Sequence, residues 1–78
     1  MGNVRVRRET SKLYLDFFYR GLRCREQTAL KNTIQNHKRL QKLMEQIDSE
    51  ISSGNFEYAR YFPGSRMLPK LSQVENDT

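Results

Sequence analysis

Between Asn3 and Thr28 apolar and polar residues mostly alternate, whereas between Ile34 and Ser53 apolar residues recur at intervals of three and four. The first pattern is that of strands with one buried face, and the second that of an amphipathic helix. In Asn3-Val4-Arg5-Val6-Arg7, the valines share one face and the arginines the other, which predicts a strand over about residues 3–8. Glu9-Thr10-Ser11 is a polar turn into a second strand, 12–19, and Arg20-Gly21 separates that strand from a third, 22–28. A two-residue loop at Arg20-Gly21 pairs Tyr19 with Leu22, Phe18 with Arg23, Phe17 with Cys24 and Asp16 with Arg25. One face then carries Leu13, Leu15, Phe17, Tyr19, Leu22 and Cys24, and the other Tyr14, Asp16, Phe18, Arg23, Arg25 and Gln27. Loops of two or four residues both keep the faces of the first hairpin aligned, so the pattern leaves that register open.

The helical stretch has its own start and stop signals. Thr33 has a hydroxyl suited to an N-cap, and Gly54 is placed to end the helix in a left-handed conformation. Leu40, Leu43, Met44, Ile47 and Ile51 form a single stripe, with Lys38, Arg39, Lys42, Glu45, Gln46 and Glu50 mostly off it. About twenty residues give a helix about 30 Å long. Its stripe needs a partner, and the sheet's apolar face is the large apolar surface available. The expected fold class is therefore α+β, a three-stranded antiparallel sheet packed on one long α-helix with a short aromatic C-terminal segment. That segment, Asn55 to Pro63, holds Phe56, Tyr58, Tyr61 and Phe62, expected to fold back on the helix end and the sheet edge. The composition then shifts to Gly, Ser, Pro, Lys, Gln, Asn and Asp. Residues 1–63 read as one domain and 64–78 as a linker or disordered tail.

Composition narrows the possible functions. A chain of 78 residues makes one small domain, and such domains bury only about 60% of their unfolded surface, leaving little room for an enclosed catalytic cavity. A lone cysteine excludes an internal disulfide, and Cys24 reads as a small core hydrophobe. No Cys/His cluster suggests a metal, no cofactor motif is present, and His37 reads as a partly exposed helix residue. No basic activating cluster surrounds Tyr61, so it reads as packing and not as a nucleophile. No run of eighteen apolar residues and no apolar signal-peptide core occur, which implies a cytoplasmic protein without a membrane span, and the small core leads us to expect no small-molecule substrate.

The net charge of +5 is concentrated. Residues 1–28 hold Arg5, Arg7, Arg8, Lys12, Arg20, Arg23 and Arg25 against Glu9, Asp16 and Glu26, whereas residues 55–78 are balanced. A sheet with one apolar face and one face of arginine and aromatic residues has a core side and a binding side, and its ligand is a polyanion. Asp16, opposite Arg25, is expected to hold that guanidinium, and Phe18 to stiffen Arg23 by stacking. Arg8, Lys12 and Arg20 lie at turns, where phosphates would run.

Three blocks, LYLDFFYRGLRCREQTAL, the helix from Thr33 and GNFEYARYFPGS, together resemble the N-terminal arm-type DNA-binding domain of phage and prophage tyrosine integrases. The resemblance covers about residues 3–65; Ala29 and Ile34 depart from the family's frequent glycine and proline. It implies a sheet placed in the major groove of arm-type attachment sites, with Arg5, Arg7, Tyr14, Phe18, Arg23, Arg25 and Gln27 facing the groove. It further implies duplex DNA on the bacterial nucleoid and other integrase subunits as partners. The family's catalytic arginines, histidine and tyrosine would lie outside these 78 residues, and neither Tyr58 nor Tyr61 inherits that role. Two other readings stay open. One is an RNA or single-strand binder that stacks bases on Tyr14 and Phe18; the other is a protein-interaction module that docks through its sheet edge or helix.

Overall fold

The computed structural model describes residues 2–76, with side chains described as far as Leu71. Three strands, β1 (Asn3–Arg7), β2 (Lys12–Tyr19) and β3 (Leu22–Lys31), form an antiparallel sheet in the order β1-β2-β3. Helix α1 (Ile34–Ser53) follows, then α2 (Tyr58–Tyr61) and α3 (Met67–Asn76). The fold class is α+β, with the sheet packed on the long helix.

Local chemistry explains each junction. Arg7 pairs with Lys12, so the first loop has four residues, and Ser11 closes it at φ 54° with its amide on the Arg7 carbonyl at 2.8 Å. Arg8 therefore lies in the turn, just past the end of β1. At the second turn Arg20 (φ 54°) and Gly21 (φ 78°) are both left-handed. That is a type I′ turn, whose twist matches that of the strands it joins. β3 runs to Lys31, beyond the expected residue 28, because it carries a bulge: Tyr14 faces Gln27, but Lys12 faces Lys31. Within the bulge the Thr28 hydroxyl donates to the Leu13 carbonyl at 2.7 Å and accepts from the Leu30 amide at 3.1 Å. A side chain thus supplies bonds that the interrupted ladder cannot.

Thr33 caps α1 by accepting from the Asn36 amide at 3.1 Å. Gly54, at φ 80°, ends the helix, with its amide on Ile51 and the Asn55 amide on Glu50. This is the Schellman pattern, which a residue with a Cβ adopts only with strain. Leu40, Met44 and Ile47 are buried against the sheet, and Leu43 and Ile51 pack at the margin. Leu13, Leu15, Phe17 and Cys24 supply the sheet's half of the core. The aromatic segment folds back as its composition suggests. Phe56 meets Tyr19 edge-on at 4.9 Å, and the Phe17 ring lies 6.0 to 6.3 Å from Tyr58, Phe56 and Phe62.

Two features differ from the sequence expectation. Residues 64–78 are not all linker or tail: Met67–Asn76 is helical, Leu71 is buried in the core, and Met67 and Leu68 pack on it. Pro69 falls in the first turn of α3, where its missing N–H has no helical partner to lose. Ser65 starts that helix by accepting from the Met67 amide at 3.0 Å. Residues 77 and 78 lie outside the described residues. The second feature is Glu26, which faces the core opposite Leu15 and is buried. Its carboxylate accepts from the Tyr58 hydroxyl and, at 2.6 Å, from the Ser65 hydroxyl. A buried carboxylate needs such donors, and these fasten α2 and the start of α3 to the back of β3.

Candidate nucleic-acid interface

With α1, α2 and α3 covering the apolar face, the opposite face of the sheet is left open. The ladder fixes its layout in cross-strand rows. Asn3, Asp16 and Arg25 form one row, Arg5, Tyr14 and Gln27 the next, and Phe18 sits opposite Arg23 near the type I′ turn. Arg7, Lys12 and Lys31 end the sheet at the first loop. Arg5, Arg7, Lys12, Phe18, Arg23, Arg25 and Gln27 are exposed on this face, and Tyr14 is half-buried. Arg8 in the first turn and Arg20 in the second are exposed at opposite ends of the sheet.

The centre of the face is organised by Asp16. It is a buried carboxylate on the otherwise basic side, with only 6% of its side chain exposed. The Arg5 Nε donates to Asp16 Oδ2 at 3.0 Å. From the other strand, Arg23 donates through Nε to Oδ1 at 3.1 Å and through Nη2 to Oδ2 at 2.8 Å. Asp16 does stand opposite Arg25 in the ladder, but the expectation that it holds that guanidinium is corrected: its carboxylate holds the two diagonal neighbours and not the residue directly opposite. Geometry gives the reason. Directly opposed Cβ atoms lie about 5 Å apart, too close for an extended arginine, whereas diagonal neighbours at about 7–8 Å suit its length. The hydrogen bond from Arg23 holds the Asp16 carboxyl below the usual carboxylate range, with Arg5 assisting and partial burial opposing. The same pair raises the Arg23 guanidinium above its already high value.

This clamp has a chemical consequence. Both arginines spend their Nε side on Asp16, which leaves the terminal amino edge to meet an acceptor outside the protein. A planar fork held at its base presents two parallel N–H groups, the geometry that suits guanine O6 and N7 or a phosphate. Both side chains keep about half their surface exposed, 51% for Arg5 and 48% for Arg23.

Arg25 turns instead to a shallow basin of about 500 Å³ that it lines with Arg7, Arg8, Tyr14 and Gln27. Arg7 also reaches Glu9 at 3.0 Å, an exposed pair of small energetic weight. The cation–π contact of the hairpin tip is Arg20 over the Tyr19 ring at 5.2 Å, so the arginine stacked on an aromatic ring here is Arg20, not Arg23 on Phe18. Phe18 projects with 67% of its surface exposed.

The other residues weighed for chemistry are held in structural roles. Cys24 is buried, and burial pushes its thiol up from the ordinary value. The Tyr61 hydroxyl donates to Glu50 at 2.6 Å, which shifts its ionisation upward, and accepts from Gln46 at 2.8 Å, which opposes that shift. A ring nitrogen of His37 lies 2.8 Å from Asn32 Oδ1. Among the described residues no group of three His, Cys, Asp or Glu is placed to hold a metal, and no helix is long and apolar enough to cross a membrane. The feature that sequence reasoning missed is the Arg5–Asp16–Arg23 clamp. Its signal was present, because Asp16 is the acidic residue that alternation places in the middle of the arginine-bearing face.

A family model described as an Arm DNA-binding domain matches residues 1–66. No curated protein and no solved structure gives a significant match.

Proposed function

The chain belongs to the Arm DNA-binding domain family, and from that premise we propose that it reads duplex DNA by laying the open face of β1–β3 in the major groove. The sites are arm-type sequences beside the attachment core of an integrase, and the domain tethers the recombination complex to them. The observation that carries this reading is the one-sided sheet. One face is sealed by α1 and the aromatic segment, and the other carries Arg5, Arg7, Arg23 and Arg25, with Arg5 and Arg23 held on the buried carboxylate of Asp16. Three strands about 4.8 Å apart span about 10 Å, which fits a major groove about 12 Å wide.

Within this reading the residues divide by position. Arg5, Arg23 and Arg25 face base edges, with Gln27 suited to adenine. Arg8, Lys12 and Arg20, at the ends of the sheet, meet phosphates and set register and orientation. The domain supplies binding and no catalysis.

The test compares one duplex selected from a random pool with a scrambled duplex. Arg23→Ala and Arg25→Ala each weaken binding to the selected duplex by about 1–3 kcal/mol and to the scrambled duplex much less. Arg20→Ala weakens both alike and lowers the salt slope by about one unit. An unchanged selected-to-scrambled ratio in both groove variants would remove the sheet face as the reading head.

A further inference from the structure

Phe18 stands apart from the chain's other phenylalanines. Phe17, Phe56 and Phe62 join Tyr19, Tyr58 and Tyr61 in one ring cluster on the core side. Phe18 lies on the basic face with 67% of its surface in solvent, directly opposite Arg23 and two residues from Asp16. An apolar ring among arginines does nothing for solubility or for phosphate attraction. Its surroundings select a ligand that is anionic overall yet offers an apolar group at that point. On the major-groove edge of duplex DNA the C5-methyl of thymine is that group. We infer that the Phe18 ring is a specificity-determining contact that packs against a thymine methyl, next to the guanine that the clamped Arg23 addresses.

The adjacency follows from the ladder. Phe18 and Arg23 are cross-strand partners with Cβ atoms about 5 Å apart. Neighbouring base pairs are stacked about 3.4 Å apart along the helix axis. Two side chains so close address the same or adjoining base pairs. The recognised element is thus a guanine with a thymine at the neighbouring step, on either strand. The clamp keeps Arg23 on its own acceptor and so fixes where the ring falls.

This inference rests on the groove-reading proposal above, and base analogues separate the two. The full chain is titrated against the selected duplex, against the same duplex with that thymine replaced by deoxyuridine, and against one with that guanine replaced by 7-deazaguanine. Deoxyuridine removes the methyl group alone. It should weaken wild-type binding about fourfold, the change expected when burial of one methyl group, about 0.8 kcal/mol, is lost. Phe18→Ala should bind the thymine and uracil duplexes equally, whereas Phe18→Leu should keep most of the difference. Phe18 is exposed, so both variants should melt as the wild type does. If 7-deazaguanine weakens binding and deoxyuridine does not, the Phe18 contact is wrong and groove reading stands. If neither analogue matters, groove reading fails and takes the inference with it. Tighter binding to the single strand than to the duplex, abolished by Phe18→Ala, would overturn the inference by making the ring a base-stacking platform.

Discussion

Replacing Asp16 by Asn keeps the side chain's shape and removes its charge. In the folded protein the carboxylate receives three hydrogen bonds from two guanidiniums and is almost fully covered, while both arginines are half exposed. Bonds to charged groups contribute about 1.5–3 kcal/mol when buried, and exposed ion pairs about 0.2–1 kcal/mol. Half-screened partners lie between these limits. Asparagine retains one acceptor but turns an amide donor toward a cation, so a loss of about 2 kcal/mol is expected. For a domain of this size each kcal/mol lowers Tm by about 4–8 °C, so the midpoint should fall by about 8–16 °C. The pH dependence has a definite sign. Arg23 first, and Arg5 with it, holds the folded carboxyl below the ordinary value of 3.8. The contribution is therefore present above that value and disappears as pH falls through the lower, folded one. Circular-dichroism melts of the wild type and Asp16→Asn should differ at neutral pH and converge under strong acid. On DNA the variant should bind scrambled duplex more tightly, having lost a negative charge, and should discriminate less because Arg5 and Arg23 are no longer held. Equal midpoints at neutral pH would refute the clamp's energetic role. A gap that persists in acid would show that the loss does not come from the ionised carboxylate.

Leu71→Ala should destabilise the fold by about 2–5 kcal/mol, because Leu71 fills the core from α3; an unchanged thermal midpoint would mean that α3 does not dock. Arg20→Asn should weaken DNA binding in an anisotropy titration by loss of a phosphate contact while the type I′ turn is kept, since asparagine is preferred at the φ of 54° that Arg20 adopts. Tyr58→Phe should cost about 1–3 kcal/mol in denaturant melts by removing a donor from the buried Glu26, with core volume nearly unchanged.

The parts of this fold that sequence makes legible are those governed by neighbours. The alternation at Leu13, Leu15 and Phe17 gives the buried face of β2, and Arg20-Gly21 gives the turn and through it the register of β3. Thr33 and Gly54 bracket α1 because each cap acts within a few residues. The parts that stay hidden depend on distant partners. Glu26 shares the parity of Cys24, yet a carboxylate on an apolar face makes sense only once Tyr58 and Ser65, 32 and 39 residues away, supply donors. Leu71 shows little pattern in a polar stretch, and its burial is decided by the open end of the core beside Phe56 and Tyr58. Within the candidate site the face of each arginine follows from alternation. The choice of partner by Asp16 does not, because opposite and diagonal neighbours differ only in side-chain reach.

The central claim is that the open face of the sheet enters the groove. Nuclear magnetic resonance of the ¹⁵N-labelled chain, titrated with the selected duplex, tests it directly, because arginine Nε–H groups and backbone amides report separately. The account predicts the largest shifts at Arg5, Arg23 and Arg25 Nε and along Tyr14 to Gln27. Lys38, Arg39 and Lys42, on the exposed side of α1, should remain in place. Shifts confined to α1, with the strand arginines unmoved, would contradict it.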